Sequence, residues 1–97
     1  MTVSVIAGFS GPLAGVISRA YEGLLTWQDD VNGAGGIHGR KVVLKKVDHK
    51  ETADGGVAAC KEALSNGSFF AIVPEGVEAT LTAVGCLDAA GMPTFYY

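Results

Sequence analysis

Few residues in this chain of 97 can do chemistry. His38 and His49 have no cysteine, histidine or paired carboxylate at a spacing that builds a metal site, and both read as surface loop residues. Asp29 and Asp30 are adjacent in a helical stretch, so their side chains diverge and form a polar face rather than a pair for acid–base work. No Ser-His-Asp or Cys-His arrangement can be assembled. The expectation is a protein that is not an enzyme and uses neither metal nor cofactor. Gly8, Gly11 and Gly15 invite a nucleotide reading, but their spacing is G-x-x-G-x-x-x-G where dinucleotide sites need G-x-G-x-x-G, and no Walker lysine follows. Asp48 lies 33 residues beyond Gly15, not the roughly twenty that would place it on a ribose. Glu78 falls near a helix start, where a carboxylate favours the positive end of the dipole; its alternative role is to meet a cationic group of a ligand.

The elements that must position these residues follow from the apolar pattern. Val3–Phe9 is short, β-rich and apolar, as a strand buried on both faces should be. After the Ser10–Gly15 loop the period changes to that of a helix, with Ile17, Ala20, Tyr21, Leu24 and Val31 on one face, and Asn32-Gly33-Ala34-Gly35-Gly36 stops it. Lys41–Asp48 is a second strand whose lysines mark a guarded sheet edge. Thr52 caps a second helix with Val57, Cys60 and Leu64 along its buried side, ending at Asn66-Gly67. Phe69–Val73 is a central strand; Leu81, Val84 and Leu87 mark a third helix ending near Gly91, and Thr94–Tyr97 is a fourth strand. The order β-α-β-α-β-α-β means an α/β fold, a three-layer parallel sheet with right-handed crossovers. The expected strand order is 2-1-3-4, with the first helix on one face and the other two on the opposite face. A phosphorelay receiver shares this order but needs an aspartate closing the third strand, which ends at Val73.

In that order the second and third helices lie side by side and start at the same sheet edge. Cys60 and Cys86, 26 residues apart, each fall about two turns into their helix and so at similar height. Two buried thiols and an interhelix disulfide both satisfy this placement; bridging requires Cα atoms within ~7 Å. Ligands of open parallel sheets bind beyond the carboxyl ends of the strands, here the loops at Ser10–Gly15, Asp48–Thr52 and Pro74–Glu78.

Composition bounds the partners. Hydrophobic residues make up 48% and charged residues 18%, which excludes a disordered chain. No apolar run approaches the ~18–20 residues needed to cross a bilayer. A net charge of −3 argues against nucleic acid, and the one basic cluster, Arg40, Lys41, Lys45, Lys46 and Lys50, reads as the solvated flank of a strand.

The stretches FSGPLAG, DDVNGAGGIHGRKV, the strand closing in VD, and FFAIVPEG followed by AAGMP resemble type I periplasmic substrate-binding proteins. The similarity is to the leucine/isoleucine/valine-binding branch that serves ABC transporters. It covers essentially all 97 residues. The resemblance implies that residues 1–97 form a single partial domain, the first half of the amino-terminal lobe of a two-lobed clamp. It implies noncatalytic binding of a small solute, such as an amino acid or related compound, and an ABC permease as partner. An alternative of the same fold is the ligand-binding sensor of a receptor or regulator. Carried over position by position, the ligand-facing residues are Ser10 in the first loop, Val16 where the family often has an aromatic, Val77 where it has Ser or Thr, and Glu78. The apolar replacements at Val16 and Val77 point to a less polar solute. The family is exported, so the implied location is periplasmic or extracellular, Met1 standing where a signal peptide has been removed, and export would let a Cys60–Cys86 bond form. A fourth strand ending in an exposed aromatic edge and a sheet face covered by one helix predict that the chain self-associates.

Overall fold

The computed structural model describes residues 1–11, 14–73 and 78–96; the side chains of Glu78 and Tyr96 are outside that description. Seven elements follow one another: β1 (Thr2–Ala7), α1 (Ala14–Gly33), β2 (Val43–Asp48), α2 (Ala53–Ser65), β3 (Ser68–Val73), α3 (Glu78–Ala89) and β4 (Thr94–Tyr96). The four strands form one sheet in the order β2-β1-β3-β4, every pairing parallel, as the alternation of strand and helix requires.

Side-chain alternation along β1 sorts the core into two layers. Val3 and Val5 point to the α1 face and pack with Val42, Leu44 and Ile72 beneath Tyr21, Leu24, Trp27 and Val31. Ile6 points the other way and joins Val47, Ala71 and Val73 under Ala59, Cys60 and Ala63 of α2 and Ala83 and Leu87 of α3. Ser4 is the buried hydroxyl of β1; its Oγ meets Ser68 Oγ at 2.7 Å and accepts from Asn66 Nδ2 at 3.0 Å, so its burial leaves no polar group wanting. No helix among the described residues is long and apolar enough to cross a membrane.

The second and third helices depart from expectation in which face they bury. Val57 and Leu64 were expected inside, yet they are exposed, as is Leu81, at 72% exposure; the buried positions are Gly56, Ala59, Cys60 and Ala63 on α2 and Ala79, Thr80, Ala83 and Leu87 on α3. The reason is close approach. A Cβ on Gly56 would lie 2.1 Å from both the Ala79 carbonyl oxygen and Thr82 Oγ1, and Thr82 Oγ1 donates to Ala53 O at 2.9 Å. Two helices this near can interlock only small side chains, so the larger ones turn outward. Cys60 and Cys86 are bonded across this interface with their Cα atoms 6.2 Å apart.

α1 does a second job at the outer edge of β2. Val43 N–H donates to Met1 O, so the neighbouring residues of β2 turn their backbone groups away from the sheet. Asn32 takes both groups of Val42, its Oδ1 accepting from the N–H at 2.7 Å and its Nδ2 donating to the carbonyl at 2.8 Å, and Gln28 Oε1 accepts from Leu44 N–H at 2.8 Å. Side-chain amides thus stand in for a further strand. The helix lies over β1 and β2 and leaves a groove of about 330 Å³ beside it, lined by Leu24, Trp27, Phe70, Ile72 and Phe95.

Candidate functional site

All carboxyl ends of the parallel strands open on one edge, and the loops there are tied to one another. Ser10 is exposed in the turn after β1, and Asp48 closes β2. The Asp48 carboxylate accepts hydrogen bonds from the Ser10 hydroxyl and N–H, and its Oδ1 accepts from Lys50 N–H at 2.9 Å. Burial pushes this carboxyl up, but the bonds from Ser10 and Lys50 outweigh it and hold it below the usual carboxylate range.

Immediately after β2 the backbone enters the left-handed region twice, at Lys50 (φ 56°) and Glu51 (φ 60°). That reversal carries Glu51 back across the end of β1. Its side chain occupies the space over the first loop: a Cβ on Gly8 would lie 1.8 Å from Glu51 Oε1, and one on Gly11 2.5 Å from its Cγ. The glycines whose spacing fails the dinucleotide pattern make room for a carboxyl side chain. Oε1 is buried and has no hydrogen-bond partner among the described residues. His49, read from the sequence as a surface residue, is fully buried. Its N–H donates to Ala7 O of β1 at 3.1 Å, its carbonyl accepts from Thr52 N–H, and its ring Nδ1 accepts from Glu51 N–H at 3.0 Å. The chain folds over it as α2 begins, with Thr52 Oγ1 accepting from Gly55 N–H at 2.9 Å as the expected cap. His38, by contrast, sits in an exposed turn as expected.

Of the residues carried over from the resemblance, Ser10 lies on this edge and Val16, in the first turn of α1, is 65% exposed. Val77 lies outside the described residues; Glu78 opens α3 at the same sheet edge, its side chain outside the description. Sequence reasoning missed Glu51 and His49, and passed over Asp48 as a mere failure of the ribose pattern. Their signal was slight: Lys50 and Glu51 are not residues that announce a left-handed turn. Among the described residues no group of three His, Cys, Asp or Glu side chains is placed to hold a metal ion. The arrangement ties the first two loops together through Ser10, Asp48 and Glu51 and leaves Ser10 exposed on the edge.

Comparison with known proteins bears on the family and the fold of the chain. The chain is 35% identical over 88 residues to the Leu/Ile/Val-binding protein homolog 3 of Brucella melitensis biotype 1, covering 91% of this chain and 23% of that protein. It superposes on an ABC transporter structure from Rhodopseudomonas palustris with a TM-score of 0.86 at 23% identity, over 99% of this chain and 30% of the other. The branched-chain amino acid transporter substrate binding protein LivJ of Streptococcus pneumoniae, in complex with isoleucine, gives a TM-score of 0.83 at 22% identity over 99% of this chain and 28% of its own. These two likenesses establish a shared fold. The chain therefore spans about a quarter of the length of its curated relative. The periplasmic binding protein family matches residues 1–97 from end to end, and the chain belongs to it.

Proposed function

We propose that residues 1–97 form the first half of the amino-terminal lobe of an extracytoplasmic, noncatalytic solute-binding protein that delivers a small solute to an ABC permease. The observation that carries this reading is the joining of the first two loops on the carboxyl edge, where Ser10, Asp48 and Glu51 make one polar surface beside the amino end of α3. A curated relative is named for binding Leu, Ile and Val, which supports an amino acid or a related compound as the solute. Ser10, Val16, Val77 and Glu78 would line the cleft, Ser10 through its hydroxyl, Val16 as an apolar cover, and residues 77–78 through N–H groups at a helix amino end.

Clamp-type sites enclose most of the ligand's surface, and this chain supplies part of one wall. Calorimetry on the 97-residue chain should therefore find no micromolar binding of leucine, isoleucine or valine. A thermal-shift screen of branched-chain amino acids, amides and aromatic acids on the longer protein carrying this lobe tests the reading directly. A saturable rise in melting temperature with one solute class supports it; a full screen without any shift overturns it.

The isolated chain is also proposed to self-associate. The supporting observation is the groove beside α1, continuous with β4, where Phe95 is 60% exposed and meets Phe70 edge-on at 5.4 Å between ring centroids.

A further inference from the structure

We infer that His49 is the positioning residue of the solute-facing edge, acting through Glu51; this rests on reading that edge as one wall of a solute cleft. His49 belongs to the turn between β2 and α2, yet it is fully buried. Its peptide is clamped from both sides, by Ala7 O of β1 and by Thr52 N–H ahead of α2, and a Cβ on Gly55 would lie 1.9 Å from its carbonyl oxygen. With the main chain fixed, the ring Nδ1 accepts the Glu51 N–H at 3.0 Å.

That bond supports a turn the chain does not favour by itself. Two successive side-chain-bearing residues in the left-handed region are disfavoured by contact between Cβ and the following carbonyl, and an outside restraint must hold them. Two restraints are present, Asp48 Oδ1 on Lys50 N–H and His49 Nδ1 on Glu51 N–H. Asp48 Oδ1 orients the first residue of the pair and His49 Nδ1 the second, and the second carries the carboxyl side chain. Glu51 then lies across Gly8 and Gly11, the residues on either side of the Ser10 turn. The imidazole therefore sets Glu51, and Glu51 sets the floor against which a solute would rest. An apolar side chain of similar size would fill the same volume but supply no acceptor.

The test uses the folded 97-residue chain, ¹⁵N-labelled, followed by amide hydrogen exchange and chemical shift. His49→Asn keeps an acceptor close to the position of Nδ1; His49→Leu keeps apolar volume without one. H49L should speed exchange of the Glu51 amide at least tenfold and move the Gly8 and Gly11 resonances, while Val5 and Ile72 in the sheet stay in place. H49N should leave all of these near wild type, a rescue that simple filling of space would not give. Glu51→Ala, with His49 intact, should move the same two glycines, which keeps the inference testable should H49L fail to fold. The inference is overturned if E51A leaves Gly8 and Gly11 unmoved, or if H49N disturbs them as much as H49L. No solute enters these measurements. Failure of the solute screen alone would remove the cleft reading and leave the His49–Glu51 link standing.

Discussion

Removing the Cys60–Cys86 bond isolates one term of the stability of this small chain. The bond closes a loop of 26 residues between α2 and α3. In the chain-entropy account a loop of that length removes about 12 cal/mol/K from the unfolded ensemble, or about 3.5 kcal/mol at 25 °C. A domain of this size has of order 5–10 kcal/mol in total, so the bond accounts for a large share. Cys60 is fully buried and its loss as Cys60→Ala adds a small packing cost, which the reduced wild-type protein does not carry. Urea melts of the oxidised chain, the reduced chain and the Cys60→Ala/Cys86→Ala variant give the comparison. Reduction should lower stability by about 3–4 kcal/mol, equivalent to a fall in Tm of roughly 15–25 °C at this chain length, and the slope against urea should rise as the unfolded chain expands. A loss below about 1 kcal/mol on reduction, with both thiols shown free by titration, would refute the loop-closure reasoning. It would mean that the interlocked small residues of α2 and α3 hold the pair without the bond.

Three further outcomes are expected. Gly56→Ala should cost about 2–3 kcal/mol by overpacking, since its Cβ meets the α3 backbone at Ala79, whereas Gly23→Ala on the open side of α1, with nothing within 4 Å, should not destabilise; paired denaturation curves check both. Asp48 has its carboxyl held below the usual range, so it contributes stability above the unfolded-state value of about 3.9 and loses it as pH falls through the lower folded value; Asp48→Asn should flatten that acid limb and speed amide exchange at Ser10 and Lys50. Light scattering should show concentration-dependent dimers of the 97-residue chain, and Phe95→Lys should shift them to monomers; a monodisperse monomer at high concentration would contradict the proposal that the groove beside α1 is an interface.

The sequence was most legible where one force decided the outcome. Apolar runs closed by glycine marked each strand and helix to within a few residues, and the lysines of Lys41–Asp48 named the edge strand. Reading failed where a position was set by a partner distant in sequence. Val57, Leu64 and Leu81 have the apolar character of core residues, but Gly56 brings α2 so near Ala79 of α3 that only small groups fit between. A glycine at a helix–helix contact looks, in sequence, like a weak point in a helix. His49 and Glu51 failed for a related reason. A polar residue after a strand is ordinarily solvated, and nothing local showed that Ala7 and Thr52 would clamp His49 or that the first-loop glycines would make room for Glu51.

The amides of Asn32 and Gln28 along β2 have a consequence for how copies of this chain can add to one another. A sheet edge is extended where its backbone groups are open, and at the β2 margin the N–H and carbonyl of Val42 and the N–H of Leu44 are already taken by side chains of α1, which hinders pairing there. If copies join as proposed, β4 at the opposite margin is the edge that would do it, and the pair would turn its two β2 margins outward. Such an arrangement would favour a closed pair over continued growth. Asn32, on a helix at the far side of the sheet from β4, thus guards one margin of the sheet by holding both backbone groups of Val42.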